Sequence, residues 1–166
     1  HKEKKNDAHA SSNRNLDNKA PSAEESKITP IGPDTAQVTN QNGTFTHKIE
    51  IVSGATPSEM RILPVDDLEY GNLWKPCITG GGKHAVKINR KHPFYSKVYY
   101  PILGQNVMVT GIDSLLWALG EAENSTVNQE TEEYYEDMRT SVSRQLKKLL
   151  VDLPDPEDSD YQEDES

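Results

Sequence analysis

Disulfide pairs, membrane spans and a large stock of aromatics are all missing from this 166-residue sequence. Its one cysteine, Cys77, excludes an internal disulfide framework and any zinc site made of cysteines alone. Phe and Trp number two each, and 33% of the residues are hydrophobic, against about 45–50% on a slightly different residue set for an average soluble domain. No apolar run approaches the ~18 residues needed to span a bilayer. With a mean hydropathy of −0.81, the chain is expected to leave part of its length unfolded. Ordering backbone costs about 1–2 kcal/mol per residue, and apolar burial has to offset it. The sequence begins at His1 with no signal-like apolar stretch, as expected of a cytoplasmic fragment or processed product.

What charge there is sits unevenly. Residues 1–42 hold six bases, six acids and four large apolar residues, Leu16, Ile28, Ile31 and Val38. That stretch reads as a disordered leader or linker. Residues 154–166 carry seven acids and no base. They read as a disordered acidic tail after a helix stop at Pro154 and Pro156. Residues 43–153 are close to neutral and are expected to form the globular domain. Within them no acid falls between Glu69 and Asp113, while Lys75, Lys83, Lys87, Arg90, Lys91 and Lys97 do.

The patterning of the middle segment predicts an α+β domain: a small antiparallel sheet of hairpins with a short helix and two antiparallel C-terminal helices. Thr44–Val52 alternates after an Asn42-Gly43 turn signal, the period of a half-buried strand. Ser53–Pro57 reads as a loop and Glu59–Leu63 as a short strand, a hairpin partner for the first. Leu73–Ile78 and Lys83–Asn89 flank Gly80-Gly81-Gly82 and read as a second hairpin. Pro93 is well placed to open a helical turn that Pro101 stops. Ile112, Leu115, Leu116, Leu119 and Ala122 form the expected core stripe of a helix over 110–123. A second helix, 129–151, carries acids early and bases late, as the helix dipole favours.

Chemistry-bearing motifs are few. Thr79-Gly80-Gly81-Gly82-Lys83 fails the phosphate-loop pattern, because His84 follows the lysine and Cys77 stands where the first glycine is required. None of the five histidines falls in an HExxH or paired Cys/His spacing. His47 and His92 read as structural residues, and nothing in the sequence pairs Cys77 with a base. No catalytic residue, metal ligand or cofactor is therefore expected, although an enzyme centred on His92 or Cys77 stays open. Asn42-Gly43-Thr44 and Asn124-Ser125-Thr126 match the glycosylation sequon and are read as chance. Lys83, Lys87, Arg90, Lys91 and Lys97, interleaved with Trp74, Phe94, Tyr95, Tyr99 and Tyr100, suit single-stranded nucleic acid, with bases for phosphates and rings for stacking. The alternative is buried rings and solvated lysines. Tyr135, Met138, Val142 and Leu149 recur at near-heptad spacing on the last helix and are candidates for a self-association seam.

Asn72-Leu73-Trp74, then Val86-Lys87-Ile88-Asn89, the turn His92-Pro93-Phe94-Tyr95 and the helix Ile112–Glu123 together resemble the C-terminal region of certain prokaryotic and phage ATPases. Those proteins carry an ATP-binding domain of the gyrase, heat-shock chaperone, histidine kinase and mismatch-repair type. The resemblance covers about residues 72–152, and only the HPFY turn is distinctive. It implies a part lying after the ATPase domain, because no nucleotide-binding motif of that superfamily occurs here. It also implies a dimerisation or partner-binding role, and it transfers no catalytic residue. The reading is a non-catalytic interaction or dimerisation module, partnered by itself or another protein and not by a membrane. The alternative is a nucleic-acid-binding module using residues 83–97.

Overall fold

Alternating residues and turn chemistry in the middle of the chain build two sheets, and three long helices enclose one of them. The computed structural model describes residues 2–52 and 60–156. Strands β1 (Lys27–Pro30), β2 (Thr35–Asn40) and β3 (Gly43–Lys48) form a three-stranded antiparallel sheet in that order. A tight turn at Gln41-Asn42 sets the β2–β3 register, with Val38 opposite Phe45. Strands β4 (Ile51–Val52), β5 (Ile62–Val65), β6 (Trp74–Thr79) and β7 (His84–Asn89) form a second sheet in the order β4-β6-β7-β5. The β6–β7 hairpin closes over the glycine run as expected, with Thr79 N and Lys83 O 2.9 Å apart.

The helices are α1 (Lys2–Ala23), a π-helical turn at Tyr95–Tyr99 that runs into α2 (Tyr100–Ile102), α3 (Asn106–Asn124) and α4 (Gln129–Leu150). The chain is therefore α+β. One face of the second sheet supplies Ile62, Trp74, Val86 and Ile88 to the main core. Tyr99 and Tyr100, Leu116 and Trp117 of α3, and Leu16 and Ala20 of α1 complete it. Asn128 caps α4 by accepting from Thr131 N at 2.8 Å. No helix among the described residues is long and apolar enough to cross a membrane.

Three expectations are corrected. Residues 1–42 are not an unfolded leader: α1, β1 and β2 lie within them. Counting large apolar residues misjudges α1 because its docking is mostly polar. Asn13 Oδ1 accepts from the backbone N–H of Arg61 and of Ile62, at 2.8 and 2.9 Å, capping the start of β5. Asp17 pairs with the buried Arg61 at 3.0 Å. The strand expected at 59–63 does not pair with β3. Among the described residues the strand begins at Ile62 and runs parallel to β7, Ile62 opposite Val86; alternation identifies a strand but not its neighbour. Nor does Pro101 stop its helix, which continues to Ile102. A proline ring clashes with the carbonyl four residues back in a regular α-helix, and the π-helical widening just before Pro101 makes room for it. The Ser53–Pro57 loop and tail residues 157–166 lie outside the described residues.

Gly120 sets how closely α3 approaches the second sheet. A Cβ there would stand 2.6 Å from Val86 Cγ2 and 3.8 Å from Pro76 Cβ. Gly120→Ala, which improves helix propensity by about 1 kcal/mol, is nevertheless expected to destabilise by about 1–3 kcal/mol through overpacking. Urea denaturation of the two chains measures this, and an unchanged or higher midpoint would contradict the close approach.

Candidate interaction surface

Helix α3 buries its charged residues along with its apolar core face. Its three ionisable residues, Asp113, Glu121 and Glu123, are all buried. Each has partners built for it. Asp113 accepts from Ser12 Oγ of α1 and from Tyr99 OH, both at 2.6 Å. Glu121 Oε2 lies 2.7 Å from His84 Nε2 of β7, while its Oε1 accepts from Glu25 N at 2.9 Å and Ser125 Oγ at 3.1 Å. Glu123 takes a two-pronged contact from Arg139 of α4, Nε to Oε1 and Nη2 to Oε2, both 3.1 Å. An isolated buried carboxylate costs several kcal/mol, so these partners are conditions of the fold.

The opposite side of α3 faces solvent with no charge on it. Val107 is 86% exposed, Leu115 57% and Met108 49%; Gly111 and Ala118 are exposed too. A globular helix normally turns its charged residues to water and its apolar stripe inward. The expected stripe is corrected accordingly. Leu116 faces the core and Ile112 and Leu119 pack against it as expected, Leu115 does not, and Val109, Trp117 and Gly120 face inward as well. Gly111 adds a second anomaly. Nothing lies within 4 Å of where its Cβ would be, so nothing inside the chain excludes alanine, yet an interior helical glycine costs about 1 kcal/mol relative to alanine.

The residues singled out for nucleic acid are brought to one strand, the turns at its two ends and one helical turn, but they do not form a free basic patch. Acids distant in sequence reach each of them. Lys83 pairs with Asp17 at 2.9 Å, and Lys87 pairs with Glu50. Arg90 lies 3.4 Å from Asp66 and Lys91 3.9 Å from Asp67. Lys97 donates to the carbonyls of Val151 and Leu153, at 2.9 and 2.6 Å, and stands 3.6 Å from Asp155. It caps the end of α4, since a cation there satisfies the last carbonyls. Trp74, Tyr95, Tyr99 and Tyr100 are buried and Phe94 packs against the core, so the rings are not free to stack on bases.

The HPFY turn is a clamp. His92 Nε2 and Ser143 O are 2.8 Å apart, its Nδ1 accepts from Phe94 N at 3.0 Å, and burial pulls its pKa down. Pro93 opens the helical turn and Tyr95 stacks beside Tyr99 with centroids 5.4 Å apart. The α4 seam candidates separate. Val142 packs on the main core beside Leu146; Tyr135 and Met138 are half-buried; Leu149 alone is 73% exposed.

Burial pushes the Cys77 thiol up to about 12, far from a nucleophile's range. A cleft of about 310 Å³ holds His47 and Glu132, 3.5 Å apart, but the residues lining it include no hydroxyl or thiol nucleophile. A larger one, about 760 Å³, runs between α4 and the Leu68–Asn72 turn, with Lys75, Arg139 and Arg144 mixed with Glu69, Glu136 and Asp137. Among the described residues no group of three or more His, Cys, Asp or Glu is placed to hold a metal ion. Compared with protein-family models, curated proteins and solved structures, the chain matches none.

Desolvation raises the Asp113 carboxyl to about 6, against the Ser12 and Tyr99 hydrogen bonds that lower it. A carboxyl raised on folding contributes stability that is complete below its unfolded pKa and is lost as pH rises through the folded one. Asp113→Asn removes that titration and keeps the shape. The variant should therefore gain on the parent by up to about 3 kcal/mol between pH 4 and pH 7. Urea midpoints of both chains across that range measure the gap, and a gap that does not change with pH would contradict the buried, ionising Asp113.

Proposed function

We propose that the chain is a non-catalytic interaction module and that the exposed face of α3 is its contact surface. The observation that carries this reading is that face: Val107, Met108, Leu115 and Ala118 turned to solvent by a helix that buries every charge it has. Contiguous exposed apolar patches on soluble chains mark interaction sites. In the same reading the module is the C-terminal part of a larger cytoplasmic ATPase. The HPFY turn and the sequence over 72–152 support this. The single buried cysteine is compatible with a reducing compartment. Nucleic acid is the weaker alternative because the basic segment is already paired and its rings are buried.

Two measurements separate these readings. Val107→Glu with Leu115→Glu should leave the circular dichroism spectrum and thermal midpoint nearly unchanged while sharply reducing retention on a hydrophobic-interaction column. Fluorescence anisotropy with a short single-stranded DNA should detect no saturable binding at low or moderate salt. Saturable binding that falls with salt and is weakened by Lys87→Glu with Arg90→Glu would overturn the proposal in favour of nucleic acid.

A further inference from the structure

We propose that the occupant of the α3 face is the same face of a second copy, paired antiparallel about a two-fold axis between Gly111 and Leu115. The inference rests on the interaction-module reading and goes further by naming the partner and its orientation. Met108, Gly111, Leu115, Ala118 and Ala122 follow one another at intervals of three, four, three and four. That is the spacing of a two-helix seam. Their sizes alternate as large, small, large, small, small. In an antiparallel pair Met108, Gly111, Leu115 and Ala118 each meet a residue from the other half of the seam, and Ala122 lies beyond the overlap. Leu115 of one copy then falls on Gly111 of the other, and Met108 on Ala118. A parallel pair would set Leu115 on Leu115 and leave glycine facing glycine. Gly111 thereby gains a reason that the single chain does not give it: an open hole into which a partner's leucine fits and past which its backbone can approach closely.

The net charge of −9 opposes association of two copies at long range, but no exposed residue of α3 adds a like charge at the contact itself. A face without charge offers a different protein no electrostatic code for register or identity, whereas a size pattern that complements itself under a two-fold rotation specifies another copy. One helix face per copy is a small interface, so the dimer is expected to be weak, with dissociation in the micromolar range.

The test is sedimentation of the full chain over a wide concentration range, with two variants. The parent should pass from monomer to dimer as concentration rises. Gly111→Leu fills the hole but meets nothing in its own chain, so it should keep or raise the thermal midpoint and weaken the dimer at least tenfold. Leu149→Glu on α4 should leave association unchanged. Orientation is read by oxidation: Met108→Cys mixed with Ala118→Cys should give a disulfide-linked dimer that neither gives alone, Cys77 being buried. A parent that stays monomeric at every concentration overturns the inference while leaving a different protein partner possible for the module. A dimer that survives Gly111→Leu but is lost with Leu149→Glu moves the interface to α4 and also overturns it. Self-linking of Ala118→Cys would show a parallel pair and overturn the orientation.

Discussion

Three buried carboxylates on α3 decide where most of the other elements go. Asp113 holds α1 through Ser12 and the π-helical turn through Tyr99; Glu121 holds β7 through His84 and the start of β1's approach through Glu25; Glu123 holds α4 through Arg139. Removing a partner from such a group is costly because the charge stays buried, so each contact fixes an element's position as well as stabilising it. The apolar residues of α3 then divide. Val109, Leu116 and Trp117 share the inner face with the acids, Ile112 and Leu119 pack at its edge, and Val107, Met108, Leu115 and Ala118 are left outside.

This arrangement explains how much of the fold the sequence discloses. The Gly80–Gly82 hairpin, the strand at 84–89 and the helix from 129 are written in short-range patterns and occur nearly where those patterns place them. Residues 1–42 mislead because Asn13, Asp17 and Ser12 stabilise through specific partners some 44 to 101 residues away, and composition cannot see a partner. The α3 stripe misleads for a related reason. Periodicity finds one apolar stripe and assigns all of it to the core, although Leu115 lies outside. The signal that could have corrected it was present: all three ionisable residues of α3 lie on one side, and they proved to be the buried side.

The basic segment illustrates the same limit in charge. Between Glu69 and Asp113 the sequence has bases and no acid, which suggests a free cationic strip. Folding brings Asp17, Glu50, Asp66, Asp67 and Asp155 to five of those bases from both sides of the segment. Exposed pairs of this kind add little stability. They do neutralise the strip, which leaves the uncharged face of α3 as the main feature of the surface without an internal explanation.

A contact surface on α3 requires Leu115 outside and Leu116 inside, and thiol accessibility reads the two positions separately. Leu115→Cys and Leu116→Cys differ by one position and should differ completely in the native state, with Cys77 silent behind its burial. The account predicts that Leu115→Cys reacts with a small thiol reagent at low protein concentration about as fast as a free thiol, and that Leu116→Cys reacts only on unfolding. A protected residue at 115 together with a reactive one at 116 would contradict it.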